Sequence, residues 1–168
     1  MNNREKLIEE LRQLDLIYKE EVELKHAGKS EFYVDIKKAY GYPDVTKLIY
    51  ENIWEQIDKN TTCIAGEGYG GIPLAIDLSS RYNLKRSLIR KEEKKHGKIS
   101  FFDGYVPTPE DRVSIVDDVF TTGGSLRKII ETLKPTGAKI LGCHVVVKIG
   151  EGIIEVPLTY LLTVEDLL

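Results

Sequence analysis

The sequence has only two cysteines, and they lie far apart. Cys63 and Cys143 each stand in an apolar, strand-like run, and the chain shows no cysteine spacing of the kind that binds metals. A framework of disulfide bonds is therefore excluded. We predict two reduced thiols in the core of a cytosolic protein.

Long apolar runs and an excess of basic residues are lacking as well. No stretch approaches the roughly 18 apolar residues of a membrane span, and the opening M-N-N-R-E-K lacks the apolar core of a signal peptide. The net charge of -3 and the pI near 5.7 argue against a nucleic-acid scaffold. We expect a soluble, cytoplasmic protein with neither a membrane nor a nucleic acid as partner.

Internal repeats, low-complexity tracts and linkers are also missing from the sequence. The chain has 168 residues, of which 42% are hydrophobic, so it can bury a sizeable core. This length favours a single domain over residues 1–168.

The most informative stretch is residues 113–125, which read V-S-I-V-D-D-V-F-T-T-G-G-S. Residues 113–116 are rich in β-branched types and predict a short buried strand of a parallel sheet. Asp117 and Asp118 follow at its carboxyl end, where open α/β sheets bind their ligands. The two carboxylates are therefore candidate ligand-binding groups.

The next segment predicts a phosphate-binding turn. Its small and hydroxylated residues can turn tightly, expose backbone N–H groups and open a helix with apolar residues at 126, 129, 130 and 133. Amides at a helix N-terminus bind phosphate, whereas carboxylates repel it and accept hydrogen bonds from ribose hydroxyls. Together they predict a site for a ribose 5-phosphate. The turn comprises Thr121, Thr122, Gly123, Gly124 and Ser125.

A second glycine-rich segment follows the predicted strand at 61–65. Residues 66–71 read G-E-G-Y-G-G and match the G-x-G-x-x-G pattern of dinucleotide-binding folds. That function also needs an acid after the next strand, where this chain has Arg90 and Lys91 instead. A second phosphate subsite is therefore the better interpretation. We expect a helix over 72–82, with Pro73 in its first turn.

Patterns on either side of these motifs predict further elements. Leu7, Ile8, Leu11, Leu14 and Ile17 form one apolar stripe of an amphipathic helix. We also expect a strand over 32–36, a helix capped by Asp44, a strand over 139–147 and a last short helix opened by a capping box at Thr163.

A polar run separates the two glycine-rich motifs. Residues 90–98, R-K-E-E-K-K-H-G-K, contain no apolar side chain, and Asp103-Gly104 beyond them is a turn signal. Such a run is usually a solvated loop. Residues 90–106 are also consistent with a mobile arm that contains a hairpin.

Four segments together resemble the orotate phosphoribosyltransferases, a family of type I phosphoribosyltransferases. Residues 24–35 are similar to the family motif L-K-S-G-x-x-S-x-x-Y-x-D, and residues 113–125 resemble the signature for phosphoribosyl diphosphate (PRPP). Residues 66–75 and the R-K-E-x-K-x-H-G arm at 90–97 also match. Purine phosphoribosyltransferases share the signature but usually not this arm.

The chain departs from the family pattern at three places. His26-Ala27 replaces a serine and a glycine, and Lys148-Ile149 stands where many members have an aspartate and the arginine that grips orotate. Gly70 occupies a position at which some bacterial members carry a lysine. Lysine can pair with a carboxylate, but without the two-pronged geometry of arginine.

The resemblance implies an α/β fold with a twisted, mainly parallel sheet flanked by helices. A small hood would come from about residues 1–40 and the chain end. It also implies a homodimer in which the arm of one subunit closes over the site of its neighbour. The reaction would convert orotate and PRPP to orotidine 5-phosphate and pyrophosphate in pyrimidine biosynthesis. Mg²⁺ would be the cofactor, held mainly by PRPP, with no protein ligand assigned.

The same resemblance, with the motifs above, assigns roles to individual residues. The predicted catalytic residues are Lys91, Lys94, His96, Asp117 and Asp118. The predicted PRPP-binding residues are these five with Arg90, Gly68, Tyr69, Gly70, Gly71, Thr121, Thr122, Gly123, Gly124 and Ser125. The predicted base-binding residues are Lys25, Phe32, Tyr33, Thr121 and Lys148.

Two alternatives remain open at this point. The accepted base could be adenine, hypoxanthine or xanthine, which the departure at Lys148-Ile149 favours. A different class of protein would be a PRPP-sensing regulator that binds nucleic acid on the same fold. The acidic balance of the chain argues against that regulator.

Overall fold

The computed structural model describes residues 1–19, 22–24, 28–30, 32–97 and 100–168. Its helices are α1 (Asn3–Gln13), α2 (Pro43–Gln56), α3 (Gly68–Arg81), α4 (Gly124–Leu133) and α5 (Val164–Leu167), with 3₁₀ helices at Ile36–Gly41 and Lys134–Thr136. Its strands are β1 (Ile17–Tyr18), β2 (Val22–Leu24), β3 (Gly28–Ser30), β4 (Tyr33–Val34), β5 (Cys63–Glu67), β6 (Lys85–Ile89), β7 (Phe102–Gly104), β8 (Arg112–Phe120), β9 (Lys139–Lys148) and β10 (Leu158–Thr163).

A central sheet organises the described part of the chain, with six strands in the order β10-β9-β8-β5-β6-β7. All neighbours pair in parallel except β7, which runs antiparallel to β6 at one edge. The predicted α/β fold with a mainly parallel sheet is confirmed. The order reverses between β5 and β8, so the carboxyl ends of these two strands diverge into a crevice, which is where such sheets bind ligands.

Helices cover both faces of this sheet. The apolar stripe of α4 is buried against one face, as its spacing predicts, with Leu126, Ile129, Ile130 and Leu133 at most 2% exposed. Helices α1, α2 and α3 bury their apolar residues in a second cluster with Val116 and Val146 of the sheet. Each face therefore has its own hydrophobic core.

The N-terminal segment corrects two sequence-based expectations. Helix α1 ends at Gln13 because Asp15 has a positive φ of 50°, which no right-handed helix accommodates, so Ile17 lies in β1 opposite Val34. Helix α2 begins with Pro43 at its first position after Tyr42, so Asp44 lies in the first turn and is not the cap.

The segments around the site are also longer than predicted. Strand β5 continues to Glu67 and α3 begins at once with Gly68, so Pro73 lies inside the helix. Strand β8 extends to Phe120 and includes both acids, which the sequence placed after a shorter strand. The hairpin of the arm is formed by β6 and β7. The Asp103-Gly104 pair belongs to the returning strand and is not the turn.

The chain end contacts the N-terminal helix. The predicted capping box at Thr163 opens α5, and Arg4 of α1 forms an ion pair of 2.9 Å with Asp166. On the same face of the sheet, the ring of Trp54 in α2 stacks on Tyr82 just beyond α3, with centroids 3.9 Å apart.

Both cysteine thiols are buried and free, as predicted. Burial raises the pKa of Cys63 and of Cys143 to about 12, which keeps them protonated and unreactive. Within the described ranges, no helix combines the length and apolarity that crossing a membrane requires.

Candidate active site

Strand β8 brings two acids to the crevice between β5 and β8. Asp117 and Asp118 are each 8% exposed, and they are successive strand residues, which point to opposite sides of a sheet. Asp118 accepts a hydrogen bond of 2.9 Å from the N–H of Val119 and lies 3.0 Å from the amino group of Lys37. The carboxylate of Asp117 accepts the N–H of Asp118 at 2.9 Å.

The site concentrates negative charge that is incompletely compensated. Burial, followed by the neighbouring charges of Asp118 and Glu67, raises the pKa of Asp117 well above its usual range. Glu67 is itself buried at the end of β5, and its Oε1 has no hydrogen-bond partner among the described residues. Lys128 of α4 approaches that oxygen to 3.6 Å, which is an ion pair but too long for a hydrogen bond. Such acids favour a ligand that carries donors or a cation.

The phosphate-binding turn predicted from the sequence lies beside these acids. Gly123 has a φ of 85° and caps α4, whose first N–H groups have no acceptor within the helix. The segment after β9 supports this turn from behind. Gly152 of this segment donates to the carbonyl of Thr121 at 3.3 Å. Arg127 of α4 links the two parts, because it donates to the carbonyl of Thr122 at 2.9 Å and to that of Ile153 at 2.8 Å.

The second glycine-rich segment forms the other wall of the crevice. A methyl group on Gly66 would lie 2.5 Å from the carbonyl oxygen of Gly71, and one on Gly70 would lie 2.2 Å from Oδ1 of Asp118. Only glycine therefore lets the start of α3 approach β5 and β8 this closely. The hydroxyl of Tyr40 donates a hydrogen bond of 2.7 Å to the carbonyl of Gly70, and Tyr69 is 88% exposed.

The arm reaches the crevice at its first residues. A methyl group on Gly68 would lie 3.3 Å from Cε of Lys91, and Lys128 donates to the carbonyl of Lys91 at 2.8 Å. Arg90 instead pairs with Asp103 across the hairpin at 3.0 Å. The described residues 90–97 are exposed, including Lys94 and His96, while residues 98 and 99 lie outside the described ranges.

The predicted base-binding residues are more dispersed. Lys25 lies outside the described residues, and Phe32 is partly buried against the core beside β4. Tyr33 lies near Lys37. Burial disfavours the charged amine of Lys37, but the carboxylate of Asp118 and, more weakly, Tyr33 outweigh it and raise the pKa of Lys37. Lys148 pairs with Glu151 at 3.1 Å and lies 5.6 Å from the ring centre of Tyr160, so its contacts do not reach the acids of β8.

The family assignment rests on similarity over nearly the whole chain. Residues 38–157 match the family model described as the phosphoribosyl transferase domain. A relative from Methanocaldococcus jannaschii named orotate phosphoribosyltransferase is 35% identical, over 99% of this chain and 98% of its own length. This chain belongs to the orotate phosphoribosyltransferase family.

Other members agree with this assignment. The orotate phosphoribosyltransferase of Halobacterium salinarum is 32% identical, over 100% of this chain and 98% of its own. The crystal structure of orotate phosphoribosyltransferase from Aeropyrum pernix matches with a TM-score of 0.81 and 28% identity, covering 96% of this chain and 95% of that one. The predicted family, its type I fold and its status as a phosphoribosyltransferase enzyme are confirmed.

For this orotate phosphoribosyltransferase family member, sequence reasoning missed four charged or polar residues of the crevice: Lys37, Tyr40, Glu67 and Lys128. One of them carried a usable signal in the sequence, because Glu67 comes after an apolar run as Asp117 does. The two lysines and the tyrosine reach the crevice through contacts that the local sequence does not encode.

Proposed function

We propose that this enzyme transfers the phosphoribosyl group of PRPP to orotate, producing orotidine 5-phosphate and pyrophosphate in pyrimidine biosynthesis. One observation supports this most: the buried acids of β8 lie between the first turn of α3, at residues 68–71, and the start of α4. That arrangement offers hydroxyl acceptors flanked by two anion-binding turns.

PRPP would lie across the crevice with each part facing a different element. The 5-phosphate binds the N–H groups and hydroxyls of residues 121–125. The ribose hydroxyls donate hydrogen bonds to Asp117 and Asp118, which are acceptors when ionised. The diphosphate lies against residues 68–71, where Lys91 already contributes a positive charge.

Transfer breaks the bond from C1 of the ribose to pyrophosphate and forms a bond from C1 to a ring nitrogen of the base. Positive charge develops on the sugar in an oxocarbenium-like transition state, and negative charge develops on the leaving group. Arg90, Lys91, Lys94 and His96 supply positive charge or a proton to that group. Closure of the arm excludes water, which would otherwise react with C1.

The acids of the crevice fit a Mg²⁺ ion that is held mainly by PRPP. Mg²⁺ prefers oxygen ligands and usually takes one or two carboxylates together with substrate phosphates, and Asp117 and Asp118 offer such oxygens. Within the described part of the chain, no group of three or more metal-binding side chains forms a site by itself. When bound with PRPP, the ion offsets negative charge on the diphosphate.

The carboxylate of orotate needs a cation, and Lys148 is the proposed partner beside Lys25, Phe32, Tyr33 and Thr121. Lys148 pairs with Glu151, whose side chain is 94% exposed. An ion pair with so exposed a partner is weak, so a substrate carboxylate can replace Glu151.

The deciding assay follows the loss of orotate ultraviolet absorbance after addition of PRPP and Mg²⁺, beside adenine, hypoxanthine, xanthine and uracil. We expect turnover with orotate alone, and Lys148→Ala should raise the KM for orotate more than it lowers kcat. Turnover of a purine without turnover of orotate would replace the proposed base but retain the PRPP site.

We further propose a cytoplasmic homodimer in which the outer arm serves the neighbouring site. Lys94 and His96 are exposed on their own chain and so available to a second subunit, whereas Lys91 lies on its own Gly68. Hybrids of Lys94→Ala with Asp117→Asn, Asp118→Asn subunits should regain turnover, because one intact composite site forms. If exchanged hybrids stay inactive, Lys94 acts within its own subunit.

A further inference from the structure

Lys37 contacts an acid of the crevice from a distant part of the sequence. Its amino group lies 3.0 Å from Oδ2 of Asp118, which is 81 positions away. The side chain of Asp118 is 12% exposed, whereas that of Lys37 is 40% exposed. The ion pair is therefore anchored at its acidic end and open to solvent at its basic end.

The 3₁₀ helix that carries Lys37 is itself fixed to the crevice. Ile36 and Ala39 are buried in the core, and Tyr40 donates its hydroxyl hydrogen to the carbonyl of Gly70. Lys37 and Tyr40 thus contact both walls of the crevice, β8 and the start of α3. The 3₁₀ helix therefore has little freedom to move as a unit, and the backbone of Lys37 stays close to Asp118.

Both oxygens of Asp118 are already engaged before any ligand arrives. Oδ1 accepts the N–H of Val119 at 2.9 Å and lies against Gly70, while Oδ2 faces Lys37. A carboxylate held at both oxygens has a fixed plane, and each oxygen keeps a second lone pair for a ligand hydroxyl. A binding group fixed in this way does not lose rotational freedom on binding.

We propose that Lys37 is a positioning residue that holds Asp118 in the orientation which binds the ribose hydroxyls of PRPP. This inference rests on the proposed function only through PRPP and does not depend on the base. Lys37 also offsets the charge of Asp118 beside Asp117, which lowers the repulsion between the two acids.

The test compares the wild type with its variants in their affinity for PRPP. The affinity is measured by calorimetry in the presence of Mg²⁺ and without any base. Lys37→Met should weaken PRPP binding about tenfold or more, and Lys37→Arg should restore most of it because the cation is kept. Lys38→Met is the matched control. Lys38 lies on the same 3₁₀ helix, but its amino group donates to the carbonyl of Asp15, at 3.4 Å and away from the crevice, so affinity should be unchanged.

A double-mutant cycle separates positioning from direct binding. If Lys37 acts through Asp118, adding Lys37→Met to Asp118→Asn should reduce PRPP affinity less than about twofold further. Additive losses would overturn the proposal, since Lys37 would then bind PRPP independently. Unchanged affinity in folded Lys37→Met or, where that variant unfolds, in Lys37→Gln would overturn it as well.

Turnover of orotate by the wild-type enzyme is measured in parallel. A wild type that binds PRPP without using orotate contradicts the proposed base, while the affinities of the Lys37 variants still decide its role. In kinetics, Lys37→Met should raise the KM for PRPP and leave the KM for orotate nearly unchanged. A loss of thermal stability alone would leave both values unaltered.

Discussion

Buried acids lie at both ends of strand β8, one directly before it and two near its carboxyl end, and the two ends differ in how completely these acids are hydrogen-bonded. Asp111 directly precedes the strand and is 2% exposed. It accepts hydrogen bonds from the hydroxyl of Tyr105 at 2.6 Å, from the N–H of Thr108 at 2.9 Å and from Lys85 at 3.1 Å. We call these residues the Asp111 cluster.

The pKa values of the two ends move in opposite directions. Burial alone would raise the pKa of Asp111, but its hydrogen bonds from Tyr105 and Thr108 hold it well below the usual range. Asp117, buried next to other acids, has a raised pKa. Both acids have little exposed surface, but Asp117 lies deeper in the protein and beside other acids, whereas Asp111 accepts several hydrogen bonds, so desolvation, neighbouring charge and hydrogen bonding together separate their pKa values. Asp111, which accepts the most hydrogen bonds, stabilises the fold, while the acids of the crevice have fewer donors and are the proposed acceptors for a ligand.

The largest expected effect comes from replacing both acids at the crevice end of β8. Asp117→Asn with Asp118→Asn should keep the fold but lower kcat/KM for PRPP about a hundredfold or more, equivalent to ~3 kcal/mol of charge-assisted contacts. Steady-state kinetics on the folded variant test this. Kinetics equal to those of the wild type would contradict the ribose-binding role of these acids.

The reverse result is expected at the other end. Asp111→Ala should lower the free energy of unfolding by about 2–3 kcal/mol, because Tyr105 and Thr108 lose a buried acceptor, yet the folded fraction should remain active. Urea unfolding measures the change. As a control, Glu131→Ala breaks an exposed pair with Lys134 and should cost less than about 1 kcal/mol. A similar loss of unfolding free energy in both variants would mean that the Asp111 cluster stabilises the fold no more than an exposed ion pair does.

A buried histidine away from the crevice tests whether incomplete hydrogen bonding by itself indicates ligand binding. His144 of β9 is 5% exposed and forms a hydrogen bond of 2.7 Å with Thr159 through Nδ1, while its Nε2 has no partner in the part of the chain that the structure describes. Burial lowers its pKa from 6.5 to about 4. Between these values the unfolded chain binds the proton more tightly than the folded one, so stability falls as the pH falls.

The expected loss for His144 is about 2 kcal/mol between pH 7 and pH 5. Unfolding free energies across this range, compared with those of His144→Gln, isolate the contribution. Because the ring contacts Thr159 and not the crevice, His144→Gln should leave the KM for PRPP unchanged. A changed KM would show that an unsatisfied group away from the crevice also serves the ligand.

The smallest effect concerns the stability cost of burying Asp117, a proposed ligand-binding acid. A raised pKa means that stability is greatest below the ordinary value of 3.8 and is lost as the pH rises toward the raised value. Asp117→Asn should therefore raise the free energy of unfolding at neutral pH, by about 1 kcal/mol. Thermal unfolding at pH 7 measures it. A destabilised variant would indicate that Asp117, like Asp111, supports the fold.

The sequence predicted the positions of those parts of the candidate site that are contiguous in the chain, and their roles stay predictions. The acids of β8, the turn at residues 121–125 and the α4 stripe follow one another, so periodicity and turn chemistry sufficed. Lys37 reaches Asp118 across 81 positions, a contact that no local pattern encodes. The predicted end of α1 was wrong because Asp15 adopts a positive φ, which the neighbouring sequence does not indicate.

Trp54 is the one tryptophan of the chain, and its surroundings make it a built-in optical reporter. Its ring is stacked on Tyr82 with planes 8° apart, and the amino group of Lys59 lies 4.1 Å from the ring centre. Tyr82 caps the end of α3 opposite Gly68, roughly 20 Å along the helix axis. The fluorescence emission of Trp54 should therefore change when α2 separates from α3 and stay nearly constant when a ligand binds in the crevice. Unfolding and ligand binding can thus be observed separately in one sample.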